Sequence, residues 1–194
     1  MLINMKHIKL MVILAFVFSA ARAQDPQFSQ FYSSPLYLAP SFAGATGGGR
    51  AILNFRDQWP QLASTYITYA ISADYYYDKY KSGIGLLVLR DQAGEDGMMN
   101  TTTAGLVYSY NFDVSPKWSI RPGLSAYYYT RSFNFNAFRF GDQILRGDNY
   151  GNAGSSVEMT TLENLEPVSH VDFATSVMAY SETYWFGFTV DHLM

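Results

Sequence analysis

The stretch whose reading decides the fold is Ser64-Thr65-Tyr66-Ile67-Thr68-Tyr69-Ala70-Ile71-Ser72-Ala73-Asp74-Tyr75-Tyr76-Tyr77. It contains no glycine or proline and is dense in tyrosine, threonine and isoleucine, whose flat or branched side chains suit a pleated surface. As a strand it places Thr65, Ile67, Tyr69, Ile71, Ala73 and Tyr75 on one face. Tyr66, Thr68, Ala70, Ser72, Asp74 and Tyr76 fall on the other. The first face is apolar and the second mixed. At about 3.3 Å per residue the strand runs roughly 40 Å, long for a small soluble domain and well suited to a tilted crossing of a bilayer.

Outward from this stretch, the same alternation recurs. Strands are expected over Gly49 to Asp57, Gly83 to Arg90, Thr102 to Phe112, Trp118 to Phe133, Val168 to Tyr180 and Tyr184 to His192. Most are joined by short polar turns, such as Asp78 to Ser82 and Asp113 to Lys117. Residues 141–168 form one long polar connection, of the length that usually carries function or lacks order. Pro122 removes a ladder donor and predicts a bulge or an edge position. The fold class is therefore all-β: an outer-membrane antiparallel β-barrel, or only the N-terminal part of a larger one, because seven strands leave an even-numbered barrel unclosed. A soluble extracellular β-sandwich, with its tyrosines in an aromatic core, is the rival architecture.

Three segments divide the chain. Residues 1–23 have a basic start (Lys6, Lys9), an apolar run from Leu10 to Phe18 and Ala21-Arg22-Ala23 before Gln24, the pattern of a secretory signal peptide removed on export. Residues 24–48 carry three prolines among aromatic residues and read as a plug or cap, since proline excludes a central strand. Residues 49–194 hold the strands. With 13 basic and 16 acidic residues the chain has no basic stripe for nucleic acid, and the absence of cysteine excludes disulfides and thiolate metal sites.

Catalytic motifs are missing. The sequence has no H-E-x-x-H, G-x-S-x-G or G-x-x-x-x-G-K pattern, and Gly47-Gly48-Gly49 lacks the spacing of a phosphate cradle. His170-x-Asp172 could join a serine in a triad assembled in space, but a polar strand rim is the simpler reading. Glu95-Asp96 lies in a glycine-rich turn without a visible means of raising one pKa. The loop from Asp91 to Gly97 lacks a full calcium-ligand pattern. No enzyme, metal or cofactor is expected. Arg56, Asp57, Gln58 and Trp59, with Arg90 and Asp91 on a strand taken as a neighbour, are candidates for a charged rim network. Phe28, Phe31, Tyr32, Leu36, Tyr37 and Phe42 are the candidate partner-binding residues of the plug.

Several stretches then resemble a known family. Gln24-Asp25-Pro26-Gln27-Phe28-Ser29-Gln30, Pro35-Leu36-Tyr37-Leu38-Ala39-Pro40-Ser41-Phe42-Ala43-Gly44 and Asn54-Phe55-Arg56-Asp57-Gln58-Trp59-Pro60 are similar to the mature start of the PorP/SprF membrane proteins of Bacteroidota. Gly83-Ile84-Gly85-Leu86, Asp91-Gln92-Ala93-Gly94, Phe138-Arg139-Phe140-Gly141-Asp142-Gln143 and Gly187-Phe188-Thr189-Val190-Asp191-His192-Leu193 continue the resemblance in order. It implies an outer-membrane β-barrel of the type IX secretion and gliding machinery, assisting secretion or surface attachment of adhesin cargo. Implied partners are other type IX secretion or gliding proteins, including periplasmic ring and peptidoglycan-binding components. A general solute channel is the alternative function. Family members usually continue beyond the equivalent of His192.

Overall fold

The computed structural model describes residues 25–62, 65–94, 97–135, Phe138, Phe140 and 166–194. The expected signal peptide, nearly all of the loop 141–168, and the pair Glu95-Asp96 lie outside the described residues. Among the described residues there are eight strands: β1 (Gly49–Gln58), β2 (Tyr66–Tyr77), β3 (Ser82–Ala93), β4 (Met99–Tyr110), β5 (Phe112–Ser115), β6 (Trp118–Phe133), β7 (Val168–Tyr180) and β8 (Trp185–Val190). They form one antiparallel sheet in the order β1-β2-β3-β4-β6-β7-β8, and β5 pairs with β6 beyond the end of β4. Among the described residues β1 and β8 are the sheet edges, and the sheet curves into half a barrel.

The seven expected strands correspond to these elements, with two differences. The strand expected to end at Phe112 is interrupted at Asn111, whose N–H still reaches the Lys81 carbonyl on the β3 side (2.8 Å), and the chain resumes as β5. Pro122 sits in a central strand, opposite Val177 of β7, and not at the expected bulge or edge; on its other side Gly123 pairs with Ser109 of β4 and Ile120 with Phe112 of β5. No β4 or β5 residue pairs with Pro122 itself, so its missing N–H breaks no rung there. The second difference is that β3 continues through Asp91, Gln92 and Ala93, which the sequence reading placed in a loop.

The polarity of the sheet is inverted relative to a soluble domain. On the convex face Leu53, Ile71, Leu86, Val88, Leu106 and Leu124 stand exposed. Aromatic residues flank them, with Tyr75, Tyr77, Tyr108 and Phe112 toward the short turns and Phe55 and Tyr69, 5.2 Å apart, toward the other end. On the concave face Thr68, Ser72, Asp74, Ser109, Ser125 and Ser176 are buried. Soluble monomers rarely leave so continuous an apolar surface in water, whereas a membrane barrel presents an apolar band with aromatic girdles to lipid. A β-sandwich would cover this sheet with a second one, and a single sheet accounts for all eight strands. No helix among the described residues is long and apolar enough to cross a membrane.

What covers the concave face is the segment preceding β1. It runs through a 3₁₀ turn (Phe31–Ser33), a single helical turn α1 (Pro35–Leu38) and a second 3₁₀ turn (Pro40–Phe42). Pro35 and Pro40 each open a turn, where a missing N–H costs no helical hydrogen bond. Leu36, fully buried, packs with Ala43 of the same segment and Val107 of β4. The expected plug is thus an irregular strap laid along the inside of the half-barrel.

Candidate functional site

The strap is seated by backbone-tight contacts at the end of the sheet where the turns are short. Arg50 and Asp74 form a two-bonded ion pair (2.8 and 3.0 Å), and Asp74 also accepts the Gly44 N–H (2.7 Å). Arg50 reaches on to the Phe42 carbonyl (3.1 Å), so one charge pair holds three points of the strap and wall together. Ser109 donates to the Ala43 carbonyl and Ser176 accepts from the Ser41 N–H, each at 2.7 Å. Such closeness requires glycine in the wall. A Cβ on Gly83 would stand 2.2 Å from the Ala43 carbonyl oxygen, and one on Gly123 2.3 Å from the Ser41 nitrogen.

At the other end the strap rises to Asp25 and is held differently. The Tyr37 hydroxyl donates to the Pro26 carbonyl (2.6 Å), and its ring meets Phe28 edge-to-face at 5.7 Å. Burial, and then the charge of Asp25, push the Tyr37 phenol well above its ordinary range, so it is a neutral donor. His192, just past β8, stands between two carboxylates: Nδ1 lies 2.5 Å from Asp172 and Nε2 2.7 Å from Asp25. Burial pulls the imidazole pKa down, but the hydrogen bonds and charges of Asp25 and Asp172 outweigh it and leave it above the ordinary value. The Asp191 carboxyl is raised, chiefly by desolvation, against the opposing charge of His192 and with smaller contributions from the charges of Asp25 and Asp172.

Two chambers flank the rising strap. One, of about 410 Å³, is lined by Phe28, Tyr37, Tyr127, Tyr129, Asp172 and His192. The other, of about 400 Å³, is lined by Arg56, Tyr66, Asp91, Thr101 and Arg131. Asp25, Pro26, Gln27 and Tyr37 of the strap and Thr103 and Tyr129 of the wall border both.

Of the six candidate partner-binding residues, Leu36 is fully buried against the wall, and Tyr37 and Phe28 line the first chamber. Phe42 contacts Trp185 edge-to-face (6.4 Å), while Phe31 and Tyr32 pair with each other at 5.7 Å and stay exposed. The candidate rim residues divide by strand alternation. Arg56 bonds Gln58 and, with Asp91, lines the second chamber; Asp91 accepts from Thr68 (2.6 Å). Asp57 and Arg90 belong to the opposite face, and no ion pair joins Arg56 to Asp57 or Arg90 to Asp91 among the described residues. β1 and β3 are not neighbours, because β2 lies between them. Trp59 closes the end of β1 edge-on to Tyr66 (5.7 Å).

His170 stacks on Tyr129 (5.2 Å, 8° between rings) and leaves Asp172 to His192. No group of three or more His, Asp or Glu side chains among the described residues is arranged to hold a metal ion. Sequence reasoning missed the Arg50–Asp74 clamp and the Asp25–His192–Asp172 bridge. The only signal for the first was an acid on the mixed face of a lipid-length strand, where burial demands a partner. The second joins residues 167 positions apart and has no local signature.

The family described as Type IX secretion system membrane protein PorP/SprF matches residues 20–194. Neither a curated protein nor a solved structure matches the chain. With an inverted half-barrel, a strapped lumen and a family match over nearly its whole length, the chain belongs to the PorP/SprF family of type IX secretion system membrane proteins.

Proposed function

We propose that this protein is a non-enzymatic outer-membrane accessory of type IX secretion that holds adhesin cargo, or a neighbouring component of the secretion or gliding machine. The observation that carries the reading is the strap: the lumen-facing polar residues of β2, β4 and β7 are committed to seating residues 41–44 rather than lining an open path. Short turns in such barrels face the periplasm and long loops the cell surface. That orientation puts Lys81, Asp113 and the turn Ser115 to Lys117 toward periplasmic ring and peptidoglycan-binding partners. The end where β6 finishes and β7 begins, which also carries Asp25, faces surface cargo. Phe31 and Tyr32, exposed on the strap, supply aromatic area for a partner.

Deletion of residues 141–165, and separately Phe31→Ala with Tyr32→Ala, is expected to reduce recovery of cargo with the protein while the barrel still assembles. Unchanged cargo attachment in both would sink the binding role. The two chambers favour the solute channel as a second reading, and single-channel recording decides it: a seated strap predicts a silent protein, and steady conductance would establish the channel.

A further inference from the structure

The strap is fastened by two unlike devices. At the short-turn end the fastening is permanent in character: a buried ion pair, and a backbone lodged against glycines. At the other end Tyr37 holds Pro26 and Phe28 to the strap's own helical turn, and the tie to the barrel wall runs through one imidazole. His192 faces a carboxylate through each ring nitrogen, at 2.5 Å from Asp172 and 2.7 Å from Asp25. A carboxylate only accepts hydrogen bonds, so both contacts exist together only when both nitrogens carry protons. Neutral imidazole has one N–H. It keeps one contact and turns the other into two facing acceptors.

We infer that His192 is a proton-dependent latch, which fastens residues 25–28 of the strap across the lumen when protonated and frees them when neutral. The buried partner keeps the remaining N–H: the Asp172 side chain is 2% exposed and that of Asp25 40%, so water can solvate Asp25 but not Asp172. The other titratable groups of this chamber are Asp191 from the turn after β8, Tyr127 and Tyr129 of β6, and Tyr37 of the strap. No lysine or arginine lines it among the described residues, so no second cation can take over the role. Asp25, Pro26 and Gln27 border both chambers together with Tyr37, Thr103 and Tyr129, so their release widens the connection between the two beside the Tyr129 ring.

The inference deepens the proposed partner-holding role, since Phe28 and Tyr37 would become accessible at that widened connection, but its test needs no partner. The chain contains no cysteine. Spin labels on Gln27→Cys and Thr189→Cys, which line the same chamber, therefore report the strap alone in reconstituted protein. Moving from about pH 5 to about pH 9, across the ordinary imidazole range, is expected to change the docked-to-released ratio about tenfold or more, the worth of one hydrogen bond to a charged group. His192→Lys should stay docked at both values, because an ammonium donates to both carboxylates. Asp25→Asn should also stay docked, because a carboxamide can donate to the neutral ring. His192→Leu should be released at both. A wild-type strap equally docked at both pH values, or a leucine variant docked as wild type, overturns the latch. Loss of cargo binding with an intact pH response would instead fault the proposed function and leave the latch standing.

Discussion

Arg50 and Asp74 lie directly opposite each other on β1 and β2 and meet through two hydrogen bonds on the inside of the half-barrel. The Asp74 side chain is 1% exposed and also takes the Gly44 N–H, so the pair ties the first two staves to each other and both to the strap.

Removing one member leaves a buried charge without its partner. Asp74→Ala is expected to cost about 3–5 kcal/mol, and Asp74→Ala with Arg50→Met less than the single change, because both charges are then gone. Denaturant titration of the reconstituted barrel measures both. Equal losses in single and double variants would mean that the pair contributes only packing.

The strap's seat depends on the absence of side chains in the wall. Gly83→Ala and Gly123→Ala put a methyl where the Ala43 carbonyl and the Ser41 nitrogen stand, while a Cβ on Gly48 would meet nothing within 4 Å. The first two should unseat residues 40–44 and open them to protease, and Gly48→Ala should leave them protected. The expected loss for either wall variant is about 1–3 kcal/mol, the usual scale for overpacking.

Strap stability should fall as the solution becomes alkaline. The folded pKa of His192 is raised, so its contribution is complete below the unfolded imidazole value and disappears as pH rises through the folded one. Asp191, also raised, has the same sign: its desolvation and its repulsion from Asp25 and Asp172 burden the folded state once it ionises, and acid relieves them. Limited proteolysis after residue 28, followed from mildly acidic to mildly alkaline buffer, should therefore accelerate. His192→Leu should flatten most of that profile.

The convex face should tolerate polarity poorly in lipid. Leu106, 65% exposed in the middle of β4, is expected to cost about 2–4 kcal/mol when replaced by arginine, the scale for a lipid-facing site near the bilayer midplane. Refolding into vesicles measures it. A neutral result would place this face against protein or water instead of lipid.

Much of this architecture was legible because strand alternation is a local signal. That Tyr69 and Ile71 share one face and Ser72 and Asp74 the other follows from a period of two, and the folded sheet then turns the first face outward and buries the second. Arg56 and Asp57 show the limit of that reading. Adjacent residues look like a cluster in sequence, but alternation sends neighbours to opposite faces. A strand lying between β1 and β3 then separates them from Arg90 and Asp91. Likewise the interruption at Asn111 leaves no mark in the alternation, which runs unbroken from Thr102 to Phe112.

The sequence by itself determined the elements, the sorting of residues onto two faces and the family, because hydrophobic period, turn residues and motif order are all written along the chain. The tertiary structure alone decided what fills the lumen and what holds it there. Asp74 finds Gly44 across 30 residues and His192 finds Asp25 across 167, distances over which no periodicity survives. Those contacts exist because buried charges in a membrane barrel must find partners wherever the curved wall brings them, and only the folded sheet fixes that place.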